Sequence, residues 1–453
     1  MNRGTQGFFR NWTTPQILHG GLGSLCLGAL ALAIVAYTGL LQHRNAVQTV
    51  GKDAAPSIIA AQSMKSSLAD LDANVANELM VKPGRNFQSI AGYAQRRTEV
   101  GNNLVRAAEN ITYGEAERRP IQTLEGALGE YGSLVSRART LHERADEPGA
   151  LEAYRKAYRV LEETIFPAAD ALSKANSQVL DRSYARVGRA SSLSTAATVT
   201  AGLCLLAILT ALQIFLTVRM RRLINPCLLL ATLLTFAFVL STMHAFRAAT
   251  AHLKVAKEDA FTSIEALWQA RAAAYDANTD ESRWLFDHAH APQYEAAFFE
   301  KTARLLQVPK GRSYENMLNA TQGTLPQGMQ GYLAKEWDNI TFEGEREAAQ
   351  QTIRTYGNYY ADDKQIRALE NGGGHEDAIA YCISMKPGES NWAFVQFDKA
   401  LGHTIDINQT AFDRAVESGF QDLRGLDLLC PIFGIGVAVL AFFGLRPRLK
   451  EYA

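Results

Sequence analysis

The side chains with the most chemical potential in this sequence sit in a few short runs. Asp287-His288-Ala289-His290 is the one histidine cluster. Residues two apart do not share a helix face, so this spacing does not converge two imidazoles on one ion, and a solvated helix end is the simpler expectation. No nucleophile motif, phosphate-binding glycine loop or zinc signature occurs. Of the five cysteines, Cys26, Cys204, Cys227 and Cys430 lie in apolar segments and Cys382 in a polar one. With no CxxC pair, neither a disulfide framework nor a zinc knuckle is expected. These residues point to a protein that is not an enzyme and carries no metal or cofactor.

Polar residues that recur at matching places are better candidates for binding. Asp72 and Asn74 follow one apolar segment much as Asp276 and Asn278 follow another, and the second pair runs on into Thr279, Asp280, Glu281 and Arg283. Such runs read as polar breaks or caps, because Asn and Thr compete for backbone hydrogen bonds, or as a patch for a ligand or partner. Arg96, Arg97 and Arg106 could grip a carboxylate bidentately, against the plainer reading of a charged helix surface. A stretch at 308–342, rich in Gly, Pro, Asn and Gln, carries Tyr314, Tyr332, Trp337 and Phe342. An irregular loop with aromatic residues suits partner docking, or packing on its own bundle; Tyr314 and Trp337 are its candidates.

The elements that must position these residues begin with four apolar segments. Lys plus Arg number 46 and Asp plus Glu 46, a formal net charge of zero that gives no sign of nucleic-acid binding. A bilayer core needs about 20 apolar residues in a helix, and segments 17–41, 193–218, 223–243 and 426–445 qualify. They hold no chain of ionisable residues, which argues against a pore or carrier. The short segments are basic: Arg3 and Arg10 in the tail 1–16, Arg219, Arg221 and Arg222 in the turn 219–222, and Arg446, Arg448 and Lys450 in the tail 446–453. The positive-inside rule places all three in the cytoplasm, in a multi-pass protein of the plasma membrane with both termini inside. The first segment reads as an uncleaved anchor rather than a signal peptide. Gly20, Ser24 and Gly28 form a small-residue ridge on it, suited to packing within the membrane bundle or to a homodimer contact.

The long segments, 42–192 and 244–425, therefore face outward, and each reads as a four-helix bundle. Lys82-Pro83-Gly84, Tyr113-Gly114 and Glu147-Pro148-Gly149 break the first into four helices. Ala61, Met64, Leu68, Leu71 and Val75 make one seam, and Leu151, Tyr154, Tyr158, Leu161, Ile165, Ala168, Leu172, Ala175 and Val179 another, at heptad spacing. The second segment repeats the plan. Asp72-Ala73-Asn74 is matched by Asp276-Ala277-Asn278, Glu130-Tyr131-Gly132 by Thr355-Tyr356-Gly357, and Ala171-Leu172 by Ala400-Leu401. The offset drifts from about 204 to about 229 residues, which puts an insertion at 308–342. The expected fold is an all-α membrane protein: four transmembrane helices with two tandem extracytoplasmic four-helix bundles, the product of an internal duplication.

A helix leaving the membrane, a bundle and a helix returning resembles the sensory half of chemoreceptors and sensor kinases. More specifically, the layout is similar to the actinobacterial four-span membrane sensor that works with a glutamine/glutamate-type solute-binding protein and a soluble Ser/Thr kinase. Locally the resemblance rests on Thr14-Pro15, on Asp280-Glu281-Ser282-Arg283-Trp284-Leu285 and on Phe412-Asp413-Arg414-Ala415. It implies a relay that carries an amino-acid or binding-protein signal inward, with the binding protein outside and the kinase inside, and it implies no catalytic residue. Arg219, Arg221 and Arg222 would contact the cytoplasmic partner or anionic lipid. The competing expectation is a scaffold or accessory subunit of an envelope complex.

Overall fold

The computed structural model describes residues 13–220, 224–309 and 328–452. Among them the chain is helical, and the β pairing is one isolated antiparallel bridge between Gln307 and Gln330. Four helical runs are long and apolar enough to cross a membrane: Thr14–Leu79, Glu147–Arg219, Pro226–Phe286 and Ser390–Leu449. The chain is thus an all-α membrane protein, and it divides into two compact units.

The first unit holds the apolar parts of those runs, 1–48, 182–254 and 415–453. Helix α1 (Thr14–Gln48) buries Leu18, Leu25, Ala29, Leu32 and Ala36, a stripe at helical spacing. It meets Leu205, Leu209 and Leu212, then Phe238, and the Phe433, Val437 and Ala441 ridge of the last helix, α14 (Leu426–Leu449). Phe238 and Phe433 stack with centroids 4.0 Å apart. Leu27, Leu30, Ile34, Leu203, Phe236 and Ile435 are exposed on the other faces, the surface a lipid-facing helix requires. Close packing falls on Gly21 and Gly28, where a Cβ would approach Leu212 and Leu205. Gly20 and Ser24 are exposed, so of the ridge read from the sequence Gly28 alone faces a neighbouring helix. Asn225 caps α7 (Pro226–Lys254) through Cys227 N and Leu228 N and donates to Gly444 O at 2.7 Å.

The second unit comprises 49–181 and 255–414, and both copies of the duplication lie in it. The first copy has a π-helical segment (Thr49–Ala54), then α2 (Ala55–Leu79), α3 (Phe87–Glu109), α4 (Glu115–Glu143), α5 (Glu147–Val160) and the start of α6 (Phe166–Met220). The second copy has a π-helical segment (Val255–Phe261), then α8 (Thr262–Phe286), α9 (Ala291–Leu305), α10 (Tyr332–Asp338), α11 (Glu345–Asn371), α12 (His375–Ile383) and α13 (Ser390–Asp422). Helix α2 packs along α3 and along α8, and one contiguous core draws on both copies, from Leu68, Tyr131 and Leu172 to Leu267, Tyr359 and Phe397.

Equivalent bonds set the register of the duplication. Asn110 donates to Asp53 O and Ser57 Oγ, and Asn339 donates to Asp259 O and Ser263 Oγ. Each amide therefore clamps the π-helical start of its own repeat. Glu117 accepts from Thr112 N and Tyr113 N, as Glu345 does from Thr341 N and Phe342 N. Lys65 pairs with Asp170 and Arg271 with Asp398. Tyr131 bonds to Asp72 and Tyr359 to Asn278. This corrects the matching read from sequence: Asp72 corresponds to Asn278, not Asp276, and Tyr131 to Tyr359, not Tyr356. By the same register Asn77 corresponds to Arg283.

A second correction concerns the long seam. A π-helical turn at Leu161–Ile165 joins α5 to α6. Its extra residue per turn rotates the rest of the helix, so Asn176 and Leu180 are buried where Ala175 and Val179 were expected. The inserted stretch contains α10, which packs on α8.

Candidate functional site

Asp72 and Arg283 lie inside α2 and α8, and both are fully buried. The polar break expected there is absent, because both helices run on through the polar residues. Burial of a charge costs several kcal/mol unless its hydrogen bonds are made. Here they are made. Arg283 donates from Nη2 to Asp72, from Nη1 to Asp280 Oδ1 at 2.6 Å and from Nε to the Tyr154 hydroxyl at 3.0 Å. Its guanidinium carbon sits 3.5 Å from the Tyr158 ring centroid, a cation–π contact. Asp72 also accepts from Tyr131 at 2.7 Å and Tyr154 at 3.0 Å. Burial opposes the Arg283 charge, but the surrounding tyrosines and Asp72 outweigh it and its pKa is raised further.

The network continues on the far side of Asp280. Lys301 of α9 donates to Asp280 at 2.6 Å and pairs with Asp276 at 2.9 Å and Glu162 at 3.5 Å. Four carboxylates thus share two cations. Burial pushes the Asp280 carboxyl up to about 6 against the pull of Lys301 and Arg283. A buried network of this kind is weak evidence for net stability, but losing one member strands the others. Its place between α2 and α8 makes it the junction between the two repeats.

Beside this junction the first repeat opens. Helices α3 and α4 touch along a short length and leave a cleft of about 620 Å³, with Tyr93, Arg97, Val100, Leu128, Tyr131 and Arg139 among its walls. A Cβ at Gly101, Gly129 or Gly132 would meet no described atom within 4 Å, so these glycines leave the cleft wide. Arg139 is engaged: it bonds to Glu78 and lies 4.0 Å from the Tyr93 centroid. Arg97 is exposed and, among the described residues, no acid pairs with it. Tyr131 forms the floor, 2% exposed, and its hydroxyl is the one bonded to Asp72. Arg96, one residue from Arg97, turns inward to Asp70, Glu99 and the Tyr275 hydroxyl of α8. Both cleft helices are therefore wired to α8, by Arg96–Tyr275 and by Tyr131–Asp72–Arg283.

The remaining candidates have other places. Asn74 bonds to Asp70 within α2 and lies against Gly92, where a Cβ would come within 2.5 Å of its Oδ1; Gly92 is what lets α3 approach. Asp276 holds Lys301, and Asn278 lies beside Tyr359. Trp337 packs on the core edge under Arg346. Arg106 is exposed and does not line the cleft. Arg219 is exposed at the end of α6, while Arg221, Arg222 and Tyr314 lie outside the described residues. Sequence reasoning missed Tyr131, Tyr154 and Lys301. Tyr131 and Tyr154 look like ordinary core in the sequence, and Lys301 on α9 looks like a surface charge. No curated protein and no solved structure matches the chain. Residues 46–185, the repeat that carries the cleft, are similar to the family model of the actinobacterial sensor domain, which supports a sensor role.

Proposed function

We propose that this chain is a transmembrane sensor whose α3–α4 cleft takes a small solute bearing a carboxylate, and whose buried ion network passes the occupied state to the second repeat. The bond chain from cleft floor to repeat junction, Tyr131 to Asp72 to Arg283, carries the reading. The cleft volume, about 620 Å³, falls in the usual range for small-molecule sites. Arg97 supplies a cation that no acid pairs with among the described residues, and the Tyr93 ring and Val100 supply apolar wall. An amino acid of the glutamate or glutamine class has this mix of charge and size.

Output follows the helices. Thr14–Leu79 and Pro226–Phe286 are continuous helical runs that each contain an apolar segment and the first helix of a repeat. A small shift between two packings of α2 and α8 can travel along such runs. In this reading the receiving partner is cytoplasmic, because the positive-inside rule favours a cytoplasmic side for the basic tails and the Arg219 turn. A signalling protein such as a Ser/Thr kinase fits the resemblance to the four-span sensor, with a solute-binding protein delivering the solute outside. A ligand-free scaffold, the other reading, makes the opposite forecast for a thermal-shift test. Full-length protein in nanodiscs is heated with glutamate, glutamine, aspartate and the other proteinogenic amino acids in turn. At least one is expected to raise the unfolding midpoint, and Gly129→Leu, which fills the cleft, is expected to abolish the rise. No rise with any of them, or a rise that survives in Gly129→Leu, would refute the cleft as the input site.

A further inference from the structure

His288, Glu370 and His375 come from two different connectors and meet at one place. His288 follows α8, Glu370 is in the last turn of α11, and His375 opens α12. One donor atom from each lies within 4.8 Å of the other two. The imidazole centroids are 5.1 Å apart, and His375 Nδ1 is 2.8 Å from Glu370 Oε2. We propose that these three side chains form a site for a divalent ion of the zinc class.

The chemistry fits that class. Two imidazoles and a carboxylate are a ligand set that leaves a fourth tetrahedral position open. Nitrogen donors favour zinc and its transition-metal neighbours over calcium or magnesium, which require oxygen. At metal–ligand distances of about 2.0–2.2 Å, tetrahedral donors stand roughly 3.4 Å apart. His375 and Glu370 are already inside that spacing, so an ion would replace the proton between them. His288 must move in by roughly an ångström. It is exposed, so its side chain is free to turn, and Gly372-Gly373-Gly374, with Gly373 at φ +83°, gives the α11–α12 connector room to follow.

The neighbouring histidine is committed elsewhere. His290 Nδ1 faces Asp287 at 3.3 Å, and Asp287 also accepts from Nε and Nη2 of Arg155 in α5. An ion on His288 would therefore tie the α11–α12 connector to the segment through which α8 holds the first repeat. The fourth position is open to water or to a donor from a docking partner.

The test uses tag-free, metal-stripped full-length protein in nanodiscs, titrated with zinc chloride and followed by calorimetry, with cobalt absorption as a second readout. The expected result is a single-site isotherm, weakened on the order of tenfold or more in His288→Ala and in His375→Ala, with far-UV circular dichroism unchanged and no response to magnesium or calcium. The visible band of cobalt should report tetrahedral nitrogen and oxygen ligation. No saturable zinc binding would overturn the proposal. So would binding that persists undiminished in both variants, which would assign the ion to other groups such as His290 or the exposed Cys204.

Discussion

Arg283 of α8 and Asp72 of α2 are ion-paired with neither side chain exposed to solvent. The same positions in the other direction of the duplication, Asn77 and Asn278, carry no charge. One copy of the junction is thus charged and the other neutral. Removing one partner of a buried pair strands the other, at about 3–5 kcal/mol. Arg283→Met should lower stability by that order. Asp72→Asn combined with Arg283→Asn copies the neutral half and should cost less than Arg283→Met alone. Thermal unfolding of the full chain in nanodiscs reads both, and equal losses would show that the two residues are not coupled.

The equivalent ion pairs of the two repeats should differ in worth. Each pair is bonded twice, but Lys65–Asp170 has an acid that is half exposed, whereas both partners of Arg271–Asp398 are mostly covered. Both cations lie over an aromatic ring, Lys65 over Phe166 and Arg271 over Trp268, so solvent exposure is what distinguishes the pairs. Lys65→Ala should cost under about 1 kcal/mol, as exposed pairs do, and Arg271→Ala clearly more. The same unfolding measurement compares them.

A pH dependence is expected from Glu336 of α10. It is buried against Glu345, with Ser263 and Asn408 as its hydrogen-bonding neighbours, and burial pushes its carboxyl up to about 8. Glu345 is held in place by capping Thr341 N and Phe342 N. The folded state keeps a proton that the unfolded state releases near 4.5, so this group's contribution is complete below about 4.5 and is lost as pH rises through about 8. Glu336→Gln, which mimics the protonated form, should flatten the fall of the unfolding midpoint over that window. Asp280, raised to about 6, titrates within the same window and remains in both proteins, so the difference between them isolates Glu336.

Orientation has a direct check. Cysteines introduced at Glu152 and at Glu451, both exposed, should separate in intact cells. A membrane-impermeant maleimide is expected to label Glu152→Cys and to spare Glu451→Cys until the cells are opened. The reverse pattern would invert the assigned topology.

Much of the helical plan was legible because apolar runs and Pro-Gly breaks are local signals. The four spans and the breaks from α2 to α3, α3 to α4 and α4 to α5 follow from them directly, whereas the π-helical segments before α2 and after α5 do not. Duplication was legible as well, but its register was not. Tripeptide matches such as Asp72-Ala73-Asn74 can slide by two residues, whereas the Asn110 and Asn339 clamps, set by bonds to a distant backbone, cannot. The site was the least legible part. Asp72 and Arg283 stood out by type, yet sequence gives no means to see that residues so far apart in the chain neutralise each other. A cleft made by three glycines leaves almost no trace. The histidine pairing was hidden for the same reason, since His288 faces His375 across two connectors rather than its neighbour His290.

The central claim is that occupancy of the α3–α4 cleft is felt at the Asp72–Arg283 junction. Hydrogen–deuterium exchange on the full chain in nanodiscs, with and without the amino acid that raises the unfolding midpoint, tests it most directly. Protection is expected to change in α3 and α4 and also in α8 around residues 279–286, and the α8 change alone should vanish in Arg283→Met. A change confined to α3 and α4 in the unmodified protein would contradict the coupling.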